Sequence, residues 1–542
     1  MSLSFWTINH GISDESVVSL LFLQNRHQFV TNVIRYKLAY KIIYYFHRHR
    51  AAVKVITANF HQDTTTADNV VATRPLEEIP GPSSLPLIGP LLHFLPGGSI
   101  GTRVGIELSE VLYKTYGPIV RIDGMLGKPT FIFLYDADAC AQVLRGESTY
   151  PVRPGFQSLE YYRKEYVKPK QELTGLITDH GEPWKAMRSA VNPVMLKPKT
   201  VQLYAHVLDE VAQDMIARMK SLRDENNKIP GDFDVELNKW ALESIGTVAL
   251  GGRIGCLDPN LPADSPAREL IQNIHEIFQL VQDLDFKPSL WRYYSTKNFK
   301  KAMYLFDRQM ELSKIYIKRA VKDIEKARGT VSANEKGILE KLLEVDENMA
   351  VIMASDMLFA GVDTAANTVL ATMYLLAVNP DKQQNLREEV LKQVDKQRYL
   401  KACIKESMRM LPVVSGNLRR TTREYNLMGY HIPNNTNIIF NHQYLSLMED
   451  QFPRPAEFIP ERWLTTPDDP LHHGRASPFA NMPFGFGARQ CIGKRIAALE
   501  METFVSRLVE NFEIGWEGGD LNVVSNSLNY VKGPFDYTFK DI

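Results

Sequence analysis

One cysteine of this chain, Cys491, lies in a glycine-rich segment, PFGFGARQCIGKRIA, at 483–497. Glycines let a backbone turn tightly or approach another group closely where side chains would clash. Cys491 also directly precedes a predicted helix, whose first N–H groups and dipole favour an anion. We therefore expect a lowered pKa for this thiol, as in a nucleophile, a redox thiol or a metal ligand. A buried structural cysteine in a turn is the alternative.

A second candidate lies in the long apolar stretch 350–378, which contains FAGVDTAANT. Gly361 falls in the middle of a predicted helix, where glycine costs about 1 kcal/mol relative to alanine. Something should therefore pack against the backbone at this position. Asp363 and Thr364 follow at once, as polar groups in apolar surroundings. A functional role is one interpretation, and a solvated face or a threonine bonded back to its own helix is the other.

The elements that must position these residues are mostly helical. Apolar periodicity predicts helices at 200–223, 237–250, 299–326, 350–378, 381–394 and 400–410. Short strand-like segments lie at 118–124, 129–135, 425–433 and 436–441. This order predicts a mainly α protein with small β-sheets. A membrane span at 350–378 is disfavoured, because it would place Asp356 and Asp363 in lipid at roughly 2.5–3.5 kcal/mol each.

Composition excludes several other classes of protein. The 542 residues carry 63 basic and 63 acidic side chains, so no overall basic field favours nucleic acid. The four cysteines are far apart in sequence, which disfavours a disulfide framework or a closed zinc site. A reducing, intracellular compartment fits this usage best.

The N-terminal segment is basic and amphipathic, and no aspartate or glutamate occurs between Ser16 and Gln62. This pattern is typical of an organellar transit peptide. A disordered basic arm is the alternative, and a membrane anchor is disfavoured because the apolar run VVSLLFL is far shorter than the roughly 20 residues of a span. A proline- and glycine-rich hinge follows at 77–91. We predict an organellar transit peptide and linker at 1–75 and one folded domain at 76–542.

The cysteine segment resembles the haem-binding signature of the cytochrome P-450 family at Phe484, Gly487, Arg489, Cys491 and Gly493. The resemblance continues over nearly all of 76–542. Its further motifs are KESMR (Glu406 and Arg409), FIPERW (Arg462, with Trp463 in place of phenylalanine), AGVDT (Asp363 and Thr364), WKAMR (Trp184 and Arg188) and Arg419, seven residues after Pro412. It implies the fold of that family, with about a dozen helices and a long central helix over the haem.

The resemblance also implies roles for these residues. Cys491 would be the thiolate ligand of haem b (iron protoporphyrin IX), and such a ligand favours O–O cleavage. Asp363 and Thr364 would handle oxygen and deliver protons. Two further sets of residues that match the family's motifs would bind the haem propionates or form a buried cluster of three charged side chains. The propionate group is Trp184, Arg188, Arg419 and Arg489, and the triad is Glu406, Arg409 and Arg462.

Within the family, the chain resembles the mitochondrial class, especially its insect members. Lys401 and Lys405, one helical turn apart, resemble the lysines that dock an acidic, adrenodoxin-like ferredoxin, which an NADPH-dependent ferredoxin reductase reduces. An ordinary solvated face is the alternative for this pair. The segment before Tyr399 is shorter than in relatives, and it lies near the expected docking surface. The resemblance implies that 1–75 is a mitochondrial transit peptide and linker and that 76–542 is a haem-thiolate monooxygenase domain. It also implies peripheral attachment to the matrix side of the inner mitochondrial membrane.

The expected activity is insertion of one oxygen atom of O2 into a lipophilic small molecule, either a xenobiotic or a steroid. Apolar walls are expected at Leu358, Phe359, Val413 and Val414 and in the loop 154–177. A haem-thiolate isomerase or lyase that needs no external electrons is one alternative. A non-enzymatic haem-binding protein is the other.

Overall fold

The computed structural model describes residues 73–126, 128–168, 173–326, 336–392 and 396–542. The predicted transit peptide therefore lies outside the described residues, except for its last three positions. Part of the short segment before Tyr399, at 393–395, lies outside them as well.

The described residues form fifteen α-helices and ten strands. The helices are α1 (Gly105–Tyr116), α2 (Ala137–Arg145), α3 (Gln157–Tyr161), α4 (Gly181–Met195), α5 (Pro198–Gln202), α6 (Ala205–Leu222), α7 (Phe233–Leu250), α8 (Pro266–Val281), α9 (Lys297–Lys326), α10 (Ile338–Leu343), α11 (Glu347–Ala377), α12 (Pro380–Leu391), α13 (Arg398–Met410), α14 (His442–Leu445) and α15 (Lys494–Asn511). The strands are β1 (Ile119–Ile122), β2 (Phe131–Leu134), β3 (Asn417–Arg420), β4 (Tyr425–Leu427), β5 (Tyr430–Ile432), β6 (Asn437–Phe440), β7 (Phe512–Trp516), β8 (Val523–Ser525), β9 (Asn529–Val531) and β10 (Tyr537–Asp541).

Helix α11 is the longest of these helices and runs through the main core. Its N-terminus is capped by Asp346, whose carboxylate accepts a hydrogen bond of 2.7 Å from the N–H of Met349. Among the described residues, this one helix is long and apolar enough to cross a membrane, and 67% of its most apolar window is buried within the protein. Its Asp356 forms an ion pair of 2.6 Å with Arg163. These features are those of a core helix of a folded domain.

Gly361 lies where α11 packs against α7. A Cβ atom at this position would lie 2.5 Å from Cγ1 and 3.0 Å from Cβ of Ile245. The branched Ile245 side chain is attached to a neighbouring helix and has little freedom to move away. Close helix packing therefore accounts for the interior glycine, and the expectation that a group packs against the backbone there is confirmed.

A four-stranded sheet joins residues 119–134 to residues 417–440, with strand order β1-β2-β6-β3. Strands β2 and β6 run parallel, with Phe131 opposite Asn437, and the other two pairings are antiparallel. The large helical core lies apart from a second apolar cluster, which packs under this sheet. Three two-stranded sheets complete the set, pairing β4 with β5, β7 with β10, and β8 with β9.

The mainly α architecture with small sheets is as predicted. All six predicted helices are present, although 200–223 is divided into α5 and α6, and 425–433 forms the hairpin of β4 and β5. Periodicity did not predict α1, α2, α8 or the C-terminal strands β7 to β10. Those strands are three to five residues long and sit among loops, so their apolar pattern is too short to stand out.

Candidate active site

The segment around Cys491 forms a tight loop that leads into α15. The N–H of Cys491 donates a hydrogen bond of 2.9 Å to the carbonyl of Phe484, which closes the loop. Gly485 and Gly487 have φ values of +73° and +69°, a region in which other residues are strained. Gly493 has an ordinary φ of −84° at the N-cap of α15, and a Cβ atom there would lie 4.0 Å from Sγ of Cys491.

Cys491 is exposed, whereas Cys140, Cys256 and Cys403 are buried. Protein atoms nevertheless surround the thiol closely enough to desolvate its charged form. This desolvation raises the pKa of the Cys491 thiol, and it outweighs the Gly493 N–H and the charges of Arg188, Arg153 and Lys494, which favour the thiolate. The predicted lowering of the Cys491 pKa is therefore wrong for the metal-free chain. The prediction rested on the helix N-terminus alone, and burial has the larger effect on the pKa. Bonding to a metal ion deprotonates a thiol outright.

Arg489 and Trp184 stack on each other beneath this loop. The guanidinium lies 3.8 Å from the centre of the indole ring. It donates hydrogen bonds to three backbone carbonyls, those of Pro151, Leu176 and Asp179, at 3.0, 3.1 and 2.8 Å. Arg489 thus ties the loop 154–177 and the start of α4 to the cysteine loop.

Arg188 and Arg419 also hold the cysteine loop. One N–H of Arg188 donates a hydrogen bond of 2.7 Å to the carbonyl of Gln490. Arg419 donates to the Phe486 carbonyl at 3.1 Å and to Glu147 Oε1 at 2.6 Å. The structure therefore brings all four predicted propionate-binding residues to one place, where their role in holding propionates stays a prediction.

Arg153 is a further cation beside these arginines, and no sequence motif predicted it. Its only sequence signal is its position in the rigid segment PVRPG. Burial, followed by the charges of Arg153, Arg419 and Arg188, lowers the pKa of Arg489 to about 8. Glu147 acts against these charges, but burial raises the pKa of Glu147 itself. The site therefore has an excess of positive charge, which suits an anionic ligand.

The residues present fit haem b. Within the described ranges, the buried Nε1 of Trp184 and Nε of Arg188 have no hydrogen-bond partner, so two donors are available to acidic groups. No group of three or more His, Cys, Asp or Glu side chains in that part of the chain could hold a metal ion. A single exposed thiol could bind a metal that is held in an anionic macrocycle. The unpaired donors and the positive charges beside the thiol could bind the acidic groups of that macrocycle.

Asp363 and Thr364 lie one after the other on α11 and have different surroundings. The Thr364 hydroxyl donates its hydrogen to the carbonyl of Ala360 at 2.8 Å, which leaves its lone pairs as acceptors. Asp363 is 1% exposed and accepts a hydrogen bond of 2.8 Å from the Tyr530 hydroxyl. Thr364 is thus bonded back to its own helix, as the alternative interpretation expected. A catalytic role for Asp363 and Thr364 stays a prediction.

Glu406, Arg409 and Arg462 form a fully buried cluster between α13 and the turn Pro460–Trp463. Glu406 lies 2.8 Å from a nitrogen of Arg409 and 2.9 Å from Nε of Arg462. The indole N–H of Trp463 donates a further hydrogen bond of 2.9 Å to Glu406. Phenylalanine, which the family resemblance leads us to expect at this position, could not make this bond, so Trp463 adds a donor to the carboxylate.

Lys401 and Lys405 lie on α13 beside a groove of about 280 Å³. The groove is also lined by Phe484 of the cysteine loop and by Trp463. Lys401 Nζ lies 3.7 Å from Glu502, and Lys405 Nζ lies 5.6 Å from the centre of the Trp463 ring. At the start of α13, Glu389 accepts hydrogen bonds from the N–H groups of Tyr399 and Leu400 at 2.8 and 2.9 Å.

Similar structures show the fold. A retinoic acid-bound cyanobacterial CYP120A1 superposes with a TM-score of 0.66 at 22% identity, covering 87% of this chain and 100% of that one. The cytochrome P450DA haem domain gives a TM-score of 0.68 at 16% identity, with 86% and 98% covered.

Sequence comparisons agree with this fold. Cytochrome P450 CYP12A2 of Musca domestica is 36% identical over 510 residues, 89% of this chain and 94% of the relative. Probable cytochrome P450 12a5, mitochondrial, of Drosophila melanogaster is 36% identical over 493 residues, with 86% and 91% covered. The family model described as Cytochrome P450 matches residues 79–536. With this match and the thiol loop described above, the chain belongs to the cytochrome P450 family and is a haem monooxygenase.

Proposed function

We propose that this monooxygenase oxidises a lipophilic small molecule in the mitochondrial matrix and receives its electrons from a ferredoxin. The observation that carries the proposal is the groove that places two lysines beside the cysteine loop. Haem b, when bound to Cys491, supplies the O2 activation through which one oxygen atom enters the substrate and the other becomes water. The chain's own residues hold the cofactor, shape the substrate site and supply protons.

The aromatic residues over α11 support a lipophilic substrate. The rings of Phe278 on α8 and Phe359 on α11 stack at 4.8 Å between centres with an angle of 7°. Phe156, in the loop 154–177, meets both rings edge to face at 6.0 and 6.3 Å. Three elements thus contribute apolar rings, and apolar surfaces of this kind favour apolar ligands.

The substrate is tested with the purified protein, a ferredoxin, its NADPH-dependent reductase and a panel of steroids and insecticides. We expect NADPH-dependent oxidation of at least one insecticide and no turnover without ferredoxin. Oxidation of steroids alone would assign the enzyme to hormone chemistry and contradict the expected oxidation of an insecticide. Rearrangement of a peroxide without NADPH would instead support the isomerase alternative.

The docking proposal predicts an effect of reversing two charges. In Lys401→Glu/Lys405→Glu, we expect slower reduction by ferredoxin and a weaker dependence of that rate on salt. The reason is that attraction between solvent-exposed charges is screened within about 8–10 Å at physiological salt, so it acts mainly on encounter. The measurement is the rate of haem reduction against ionic strength.

The matched control for this variant is Lys318→Glu/Lys322→Glu, which makes the same change of charge on exposed lysines of α9. We expect native reduction rates in this control. Equal rates and equal salt dependence in both double variants would refute docking at Lys401 and Lys405.

Two segments with exposed apolar side chains support peripheral attachment to a membrane. Leu87, Leu92, Tyr293 and Tyr294 are between 54% and 65% exposed. Leu126 and Lys128 each form a hydrogen bond to or near one of these segments. Leu126 N–H donates to the Leu87 carbonyl at 3.0 Å, and Lys128 Nζ donates to the Leu284 carbonyl at 2.6 Å.

Vesicle binding tests these exposed side chains. Full burial of one such side chain contributes about 1.5–3 kcal/mol. We therefore expect Leu87→Asp/Tyr293→Asp to sediment less with phosphatidylcholine–cardiolipin vesicles than the native chain does. Ile315→Asp, at an exposed residue of α9 outside both segments, is the control and should bind as the native chain does. Equal binding of all three proteins would contradict the proposal.

The mitochondrial address rests on the acid-free leader and on relatives whose names include the word mitochondrial. Import into isolated mitochondria, with cleavage of the leader, is the expected result. A full-length protein left outside the organelle would contradict this address.

A further inference from the structure

A series of polar side chains leads from Asp363 towards the protein surface. Nδ1 of His275, on α8, lies 3.5 Å from Oδ2 of Asp363. The hydroxyl of Tyr530, on β9, donates a hydrogen bond of 2.8 Å to the same oxygen. The imidazole ring meets the Tyr530 ring edge to face at 5.0 Å. Two elements far apart in the chain thus meet at one carboxylate.

The surroundings of His275 fix which ring nitrogen carries the hydrogen. Nε2 lies 3.2 Å from Nζ of Lys532 and 2.9 Å from Nε2 of Gln279. A lysine ammonium only donates hydrogen bonds, so Nε2 of a neutral His275 must accept. Its hydrogen is therefore on Nδ1, the nitrogen that faces Asp363.

The exposed fraction of the side chains increases from Asp363 through His275 to Lys532. The side chain of Asp363 is 1% exposed, that of His275 is 24% exposed and that of Lys532 is 31% exposed. Lys532 is also 3.4 Å from Asp234, so the outer end of the series is a partly solvated ion pair. His275 is therefore the group that contacts both Asp363 and water-accessible surface.

We propose that His275 is the proton-entry residue for Asp363 and that Tyr530 is a positioning residue that holds the carboxylate. This inference rests on the proposed function, in which Asp363 and Thr364 supply protons for the oxygen chemistry. Solvent protonates Nε2, and the hydrogen on Nδ1 then moves to Oδ2 of Asp363. The ring is left neutral with its hydrogen on Nε2. It then takes up a proton from water on Nδ1 and releases the Nε2 hydrogen to water, which restores the first tautomer that the donors at Nε2 favour. The net result is one proton carried from solvent to Asp363.

The 3.5 Å separation is longer than an ordinary N–H···O hydrogen bond, so transfer requires the contact to shorten. Hydrogen bonds in active sites are often long in the free enzyme and tighten when ligands bind. Tyr530 restrains the carboxylate for this approach, because burial and the neighbouring Asp363 raise the pKa of Tyr530 and keep its hydroxyl a donor.

The first test compares two substitutions of His275. Asparagine places an amide N–H near the Nδ1 position and keeps the hydrogen bond to Asp363, but it cannot pass on a proton. Alanine removes both functions. If His275 carries protons, His275→Asn and His275→Ala should both divert electrons from product to hydrogen peroxide. The expected loss of coupling is on the order of 10-fold, below the roughly 10²–10⁴-fold effect of a positioned acid, because water can partly replace the ring.

Controls separate a relay from a structural effect. Thr364→Ala serves as the uncoupled reference. His206→Asn changes an exposed histidine paired with Glu210 at 3.1 Å and should keep native coupling. In an Asp363→Asn background, His275→Asn should add no further loss, since the acid that it serves is already absent. Native coupling in His275→Asn with loss only in His275→Ala would mean that His275 positions Asp363 without carrying protons, and would overturn the proposal.

A second readout needs no turnover. In protein labelled with ¹⁵N-histidine, the His275 signals are those lost in His275→Asn, and their shifts report the tautomer. We expect hydrogen on Nδ1 and a free lone pair on Nε2. Hydrogen on Nε2 would overturn the relay even in an active enzyme. A protein with the expected tautomer that consumes no NADPH with ferredoxin would instead refute the proposed electron donor.

Discussion

Cys491→Ser is expected to remove the red-shifted absorbance of the reduced carbon monoxide complex that gives this family its name. A serine hydroxyl is not a thiolate and does not supply the electron density of a sulfur ligand. In the free protein, burial already opposes ionisation of the thiol at this position. A serine hydroxyl, which is far less acidic, would stay neutral there. Monooxygenase turnover should be lost together with the band.

The control for this variant is Cys403→Ala, on α13, where the side chain is fully buried. We expect the control to keep the band even if its stability falls. A folded Cys491→Ser protein, as judged by circular dichroism, that retained the band would overturn the assignment of the iron ligand. Loss of the band in both variants with loss of helicity would point to unfolding, and a chemical assay of bound haem then separates the two effects.

Glu406→Gln is expected to lower the free energy of unfolding by roughly 3–5 kcal/mol, the usual cost of removing one partner of a buried ion pair. Arg409 and Arg462 are both fully buried, and both form ion pairs with this carboxylate. Burial already lowers the pKa of Arg462, and Glu406 acts against that shift. Glutamine would leave two buried cations without the negative charge that compensates them. The measurement is urea unfolding followed by circular dichroism.

Glu457→Gln is the matched control, because Glu457 pairs with Arg454 at the surface and both side chains are more than half exposed. Its free energy of unfolding should stay close to the native value. A similar, small loss in both variants would mean that backbone carbonyls alone compensate the two arginines. The carbonyls of Ser446 and Pro453, at 2.9 and 3.1 Å, are the acceptors that would then have to do so.

Much of the site could be predicted from sequence because many of its residues lie close together along the chain. The loop from Phe484 to Gly493 is ten residues long, and Glu406 and Arg409 lie on one helical turn. Arg153 and Glu147 carry no comparable signal, since they come close to Arg419 and Arg489 only after the chain folds. The contact between His275 and Tyr530 at Asp363 also escaped prediction, because it joins residues 167 positions apart on α11 and a three-residue strand.

The pKa of Cys491 was wrongly predicted for a related reason. A helix N-terminus is visible in the sequence, and its effect on an anion is local. Desolvation depends on how much protein surrounds a group, which only the folded structure gives. The same holds for Gly361, whose unusual place in a helix was evident from sequence, while its partner Ile245 on α7 was not.

The cations around the cysteine loop also couple folding to cofactor supply. Arg153, Arg188 and Arg419 all lower the pKa of Arg489, so the folded chain alone bears their mutual repulsion. A ligand with two carboxylates relieves this repulsion, and the unfolded chain has no equivalent site. A ligand that binds only the folded state stabilises it by about 2.7 kcal/mol when its free concentration is 100 times its Kd. Cells short of haem should therefore accumulate less of this enzyme, through faster degradation of the unliganded chain and without any change in its synthesis.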